Sequence, residues 1–302
     1  MCQTLRNLVL QQIKSYLKFL FHSKNEHGLH SPFVFDLVTK CFYDNTKYPE
    51  YETLKSYRKS LLENKNTIEV TDFGAGSRVF KSNTREIAKI AQTAGITPKN
   101  AELLFRIVRY FQPKSVLEIG TSLGLATSAL SLANENTKII TLEGCPNTQK
   151  QAQEQLQAQT QVQNSNFKNI NFVNTKFEDF FENLKPDSSL KSEQAKQTLN
   201  LKPQIFDLVY FDGNHSKKAT LEYFEALLST ISNDSVWIFD DIHWSADMEE
   251  AWEIIKKHSK VPVTIDTFQW GIVFFRAEQE KEHFIINPNK TISSHLLERI
   301  RF

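Results

Sequence analysis

The run VLEIGTSLGLA (116–126) holds Glu118, Gly120 and Gly124 in the spacing Glu-x-Gly-x-x-x-Gly. Glycines in such a turn let the main chain pass close to a ligand that any Cβ would hold off. An acid two residues before the first glycine has no favourable role beside a pyrophosphate. It suits a ligand with positive charge, an ammonium or a sulfonium. Thr121 and Ser122 offer hydroxyl donors for a carboxylate on the same ligand. Nineteen residues past Gly124, the run KIITLE ends in Glu143, placed to accept from both hydroxyls of a ribose.

Two later runs end in acids. Asp212 closes FDLVYFDG (206–213), and Asp240 and Asp241 close SVWIFDDI (235–242). Clustered carboxylates repel unless protonated or bridged by a cation, and oxygen-only ligands suit Mg²⁺ or Ca²⁺. Alternatively, Asp240 and Asp241 bind backbone amides of their own loop. His215, three residues after Asp212, titrates near neutrality and can act as a general base or can simply hold the loop. His243 and Trp244 are candidates for the lining of an acceptor pocket.

A cofactor loop needs a strand before it, a helix after it and a carboxylate on the next strand. The run at 116–126 meets all three conditions. An earlier glycine run, VTDFGAGS (70–77), does not: RVFKSNTREIAKIAQTAGI reads as a helix and TPKNAELLFRIVRYF as another, with no second strand between them. The earlier run is read as a glycine turn, or else as a lid over the true site.

The positioning elements follow from periodicity. Strands are predicted at 115–120, 138–143, 170–175, 206–213 and 235–242, alternating with helices, which implies a parallel sheet covered on both faces. VPVTIDTFQWGIVFFRA (261–277) holds two strands with almost no room between them, an antiparallel hairpin. Helices are predicted over 5–21, after His30-Ser31-Pro32 and over about 50–64, so residues 1–90 read as a helical N-terminal extension or lid and 91–302 as the ligand-binding domain. Asp247 and Glu250 look like a capping box. QKQAQEQLQAQTQVQNSN (149–166) begins as a solvated helix, and 186–203 reads as a surface insertion.

The 302 residues are 40% hydrophobic and 24% charged, enough for a packed core. A net charge of +1 argues against a nucleic-acid partner. Cys2, Cys41 and Cys145 form no CxxC pair, which fits a reducing compartment. No run reaches the roughly 18 apolar residues of a membrane span, so a soluble cytoplasmic protein is expected.

The motifs LEIGTSLG (117–124), TLEG (141–144), DLVYFDGNH (207–215) and VWIFDDIHW (236–244) together resemble the class I S-adenosylmethionine-dependent methyltransferases over about 97–277. TPKNAELLFRIV is similar to the helix preceding the first strand of the catechol and caffeoyl-CoA O-methyltransferases. FDGNH and FDDIHW resemble the macrocin-type sugar O-methyltransferases. HGLHSPFVFDL and DFGAGS resemble an N-terminal extension of bacterial methyltransferases of uncertain substrate.

The resemblance implies a Rossmann-like α/β fold, mostly parallel with an antiparallel C-terminal hairpin, and S-adenosylmethionine as cofactor. Glu118, Gly120, Thr121, Ser122, Gly124, Glu143 and Asp212 would bind it, with Glu178 or Asp179 touching the adenine amine or serving only as helix N-terminal acids. The macrocin-type resemblance implies a divalent metal, Mg²⁺ or another, at Asp212, Asp240 and Asp241. The chain departs from both families at the base: Asn214 and His215 stand where an acid and a lysine are expected, leaving His215 with Asp212 as the catalytic candidates. The expected activity is O-methylation of a small-molecule acceptor. The alternatives are an RNA or protein methyltransferase, or a binding module that kept the cofactor site without catalysis.

Overall fold

The computed structural model describes residues 2–73, 80, 82–163, 167–184 and 204–288. The glycines of the 70–77 run and the 186–203 insertion lie outside these residues.

The ligand-positioning half begins with α5 (Pro98–Phe111), capped by Thr97, whose side chain accepts from Asn100 N. Then come β3 (Ser115–Ile119), α6 (Leu125–Ala133), β4 (Lys138–Glu143), α7 (Pro146–Gln163), β5 (Ile170–Asn174) and α8 (Phe177–Leu184). β6 (Leu208–Phe211), α9 (Lys217–Leu227), β7 (Val236–Asp240) and α10 (Ala246–Lys257) follow. The chain continues through β8 (Val263–Asp266), β9 (Trp270–Phe274) and β10 (Glu282–Ile285). Strand order is β10-β8-β9-β7-β6-β3-β4-β5. β3 through β7 are parallel, β9 runs antiparallel between β7 and β8, and the predicted hairpin is in place. β10, which the sequence reading did not foresee, lies parallel to β8 at the sheet edge.

Successive strand residues point to opposite faces, and the sheet buries both. Val116, Leu208, Tyr210, Val236, Ile238, Ile272 and Phe274 belong to one buried cluster. Leu117, Ile119, Val209, Phe211, Trp237, Phe239 and Val273 belong to the other. Near-continuous apolar runs are what two-sided burial demands.

The N-terminal ninety residues build against the first face. They contain α1 (Cys2–His22), α2 (Pro32–Leu37), α3 (Glu50–Glu63), β1 (Thr67–Glu69), β2 (Thr84–Glu86) and α4 (Ile87–Thr93). Ser31 caps α2 and accepts from Val34 N, as its sequence predicts. Val34, Leu37, Tyr57 and Leu61 are fully buried in the same cluster as the sheet. Tyr57 donates to Leu123 O at 2.6 Å, tying α3 to the glycine loop.

Two local expectations are corrected. The stretch after the 70–77 run is not one helix: β1 and β2 pair antiparallel, and helix begins only at Ile87. Ser245, not Asp247, caps α10, accepting from Met248 N at 3.2 Å. Among the described residues, no helix is long and apolar enough to cross a membrane.

Candidate functional site

Parallel strands present their carboxyl ends to one rim, where ligands bind in open α/β sheets. Glu118 lies on β3 beside Thr141 of β4 and Tyr210 of β6. It is fully buried. Its Oε2 accepts from Thr127 Oγ1 and Thr141 Oγ1, both at 2.6 Å. Oε1 is buried with no hydrogen-bond partner. Burial lifts its pKa to about 8, opposed by the two threonines and aided by Asp212 and Glu143. An unpartnered buried acceptor is a place for a cationic donor, because a bare buried carboxylate oxygen is costly.

The turn after β3 is held from within. Gly120 has φ +103°, and a Cβ there would stand 2.3 Å from the Asp212 carbonyl oxygen. Gly124 has φ +74°, and its Cβ would meet Leu156 Cδ1 and Tyr57 Oη at 3.1 Å. The crowding a Cβ would meet at both glycines comes from the protein itself. Thr121 is also internal. Its hydroxyl lies 2.5 Å from that of Thr141. Since Thr141 gives its one proton to Glu118, Thr121 must donate to Thr141 and has none left for a ligand carboxylate.

Glu143, at the end of β4, faces this turn. Its Oε2 accepts from Ser122 N and its Oε1 from Cys145 N, each at 2.9 Å. Burial raises its pKa, and the backbone donors at Cys145, Ser122 and Gly144 pull the other way. Each oxygen keeps a lone pair for a further donor. Glu178, at the start of α8, is exposed and accepts from the Tyr223 hydroxyl at 2.9 Å. Tyr223 in turn accepts from Asn214 Nδ2 at 3.4 Å, so Glu178 is linked to the loop after β6.

β6 and β7 are paired with Phe211 opposite Phe239, which sets Asp212 beside Asp240. His215 Nε2 stands 3.6 Å from Asp212 Oδ1. Desolvation would lower the pKa of His215. The carboxylates of Asp212, Asp241 and Asp240 outweigh it and raise the pKa to about 9. Asp240 accepts from the Tyr210 hydroxyl at 3.0 Å, from Asp241 N at 2.8 Å and from Gln269 Nε2 at 2.8 Å. Burial drives its pKa well up, with Asp212 and Asp241 adding to the effect. Asp241, at φ +56°, also accepts from Gln269 Nε2.

These residues do not fit a metal. Among the described residues, no group of three or more His, Cys, Asp or Glu side chains is arranged to hold one. Instead the Gln269 amide lies between Asp240 and Asp241. Of the loop's backbone amides, Asp241 N bonds Asp240; the Gln269 side chain was not foreseen. This arrangement gives the metal assignment to Asp212, Asp240 and Asp241 no support.

His243 is engaged within the protein. It is clamped between Glu249 Oε1 and Asp266 Oδ2, both at 2.9 Å, and stacks on Phe268. Burial would depress its pKa, but Asp266 and Glu249 hold it at about 9. A histidine raised in the fold stabilises fully below its unfolded pKa of roughly 6.5 and ceases to as pH passes its folded value. The melting-temperature advantage of the native chain over His243→Ala is therefore expected to be largest at pH 6 and to shrink toward pH 10. A constant difference across that range would show the clamp to be uncharged.

The sequence did not reveal Gln269, Tyr210 or Tyr223. Gln269 lies in the predicted hairpin turn, where its only signal was the lack of space.

A family model described as a methyltransferase domain matches residues 117–242, β3 through the turn after β7. No curated protein sequence matches. Among solved structures, the chain is similar to an SAH-bound methyltransferase from Podospora anserina, at 13% identity over 82% of this chain and 97% of that one, TM-score 0.52. It is also similar to an O-methyltransferase from Bacillus cereus in complex with SAH, at 16% identity, 77% and 93% coverage and TM-score 0.45. A third is the O-methyltransferase TomG from Streptomyces achromogenes, involved in tomaymycin synthesis and complexed with SAM, at 14%, 78%, 92% and 0.46. For the Podospora structure the likeness is one of fold.

Proposed function

We propose that this chain, an S-adenosylmethionine-dependent methyltransferase with the class I fold, methylates an oxygen of a small-molecule acceptor, with His215 as general base. The observation that carries this reading is the contact between two loops. The turn at Gly120 lies against the main chain of Asp212, and His215 follows within the same loop. Donor site and base thereby share one rim.

When bound, S-adenosylmethionine supplies an electrophilic methyl on a sulfonium. The chain's own residues do the rest. Glu118 Oε1 and the β3 turn hold the amino-acid end, and Glu143 holds the ribose. His215 takes the proton of the acceptor hydroxyl, and Asp212 orients the imidazole and stabilises its charged form. No step passes through a divalent cation. Alignment of this kind can be worth roughly 7–11 kcal/mol in favourable cases.

Because the base must be neutral and its pKa is raised to about 9, the rate is expected to climb with pH toward 9. His215→Ala is expected to lower kcat by about 10²–10⁴-fold and to flatten that limb, with S-adenosylhomocysteine (SAH) affinity little changed. Labelled methyl transfer to a pool of hydroxylated metabolites, run from pH 6 to 10, measures both. Full turnover by the alanine variant would remove His215 from the reaction.

A further inference from the structure

Sheet order dictates how a long ligand must lie. β3, β4 and β5 are neighbours in that sequence, about 4.8 Å apart. A ligand whose amino-acid end meets the β3 turn and whose ribose meets Glu143, at the end of β4, must carry its base outward over the ends of β4 and β5. The residue after Glu143 is Gly144, which offers no side chain there. The ring of Phe73 lies in its place: a Cβ on Gly144 would be 2.7 Å from Phe73 Cδ2. On the β5 side, Lys176 Nζ stands 5.4 Å from the centroid of the same ring. Phe73 thus spans the two strand ends, and it remains 50% exposed.

Its backbone neighbours fix it there. Thr71 N donates to Cys145 Sγ at 3.3 Å, and Asn147 Nδ2 donates to Glu69 O at 2.9 Å. Asp72 pairs with Arg85 at 3.2 Å across the β1–β2 hairpin. The Asp72 charge also adds to the rise in the Glu143 pKa, so this segment borders the ribose carboxylate. A half-exposed aromatic ring held against a glycine, beside a nucleoside anchor, is a stacking platform: every base has a π-face to offer it.

We propose that Phe73 is a cofactor-binding residue whose ring packs on the adenine of S-adenosylmethionine, a surface that β4 itself, with glycine at 144, does not provide. The N-terminal segment then completes the cofactor site. This rests on the reading of Glu143 as the ribose anchor.

Calorimetric titration of SAH into the native chain, Phe73→Ala, Phe73→Trp and Glu143→Ala tests it. Phe73→Ala should weaken SAH binding about ten-fold or more, with an unchanged melting temperature for the free protein, and Phe73→Trp should bind as the native chain does. Native affinity in Phe73→Ala, with Glu143→Ala defective, would overturn this inference alone. Equal loss in the alanine and tryptophan variants would also overturn it, since an aromatic face would not be what matters. No heat from the native chain would overturn the cofactor reading and this inference together.

Discussion

Gly120→Ala is expected to abolish turnover and to lower stability by about 2–6 kcal/mol. Two effects combine. At φ +103° an L side chain is strained, at roughly 1–3 kcal/mol. The added Cβ would also stand 2.3 Å from the carbonyl oxygen of Asp212, 2.8 Å from its carbon and 3.3 Å from Gly213 N. These are backbone atoms and cannot rotate away, so overpacking adds roughly 1–3 kcal/mol. Relief requires the Asp212 loop to move, and His215 moves with it. For a chain of this size, the melting temperature should fall by about 1.5 °C per kcal/mol. Gly124→Ala is the milder control, since its nearest neighbours are the ends of the Leu156 and Tyr57 side chains at 3.1 Å. Thermal melts and SAH titrations of both variants check this. A Gly120→Ala protein that melts and turns over normally would contradict the packing of the two loops.

Glu143→Ala is expected to weaken SAH binding by about a hundred-fold or more. A hydrogen bond to a charged group contributes roughly 1.5–3 kcal/mol, and two ribose hydroxyls can each make one. A hundred-fold corresponds to about 2.7 kcal/mol. The loss does not stop at the ligand. Ser122 N and Cys145 N, each now 2.9 Å from a Glu143 oxygen, would lose their acceptor, and the turn that follows β3 would slacken. Glu143→Gln keeps one carbonyl oxygen and should fall between the alanine variant and the native chain. Titration calorimetry measures the series. Near-native affinity in the alanine variant would place the ribose elsewhere.

The central strands were readable because burial on two faces forces apolar runs, and because each run ends in the polar group that the rim requires: Glu143, Asp212, Asp240. The 263–274 hairpin was readable because no crossover fits in so short a space. The β1–β2 pair was not, since three-residue strands carry no period and Thr84-Arg85-Glu86 is equally compatible with a helix start. β10, with His283 and Glu282 on a short edge, lacked the apolar run that betrayed its neighbours. Within the site, residue types gave the chemistry, but contacts between distant segments decided its use. Thr121 looked like a ligand donor until Thr141, twenty residues away, engaged its proton. The aspartate pair looked like a metal set until Gln269, 28 residues on, supplied an amide.

The first helix touches the loops that follow β7 and β8. Gln12 Nε2 donates to Trp244 O at 3.3 Å, and the rings of Tyr16 and Phe19 pack on Phe268 at 4.8 and 5.5 Å. These anchors lie on the segments after β7 and β8. Substitutions at Gln12, Tyr16 or Phe19 would therefore be felt first at Trp244 and Phe268, and would leave the bonds of Glu118 and Glu143 as they are.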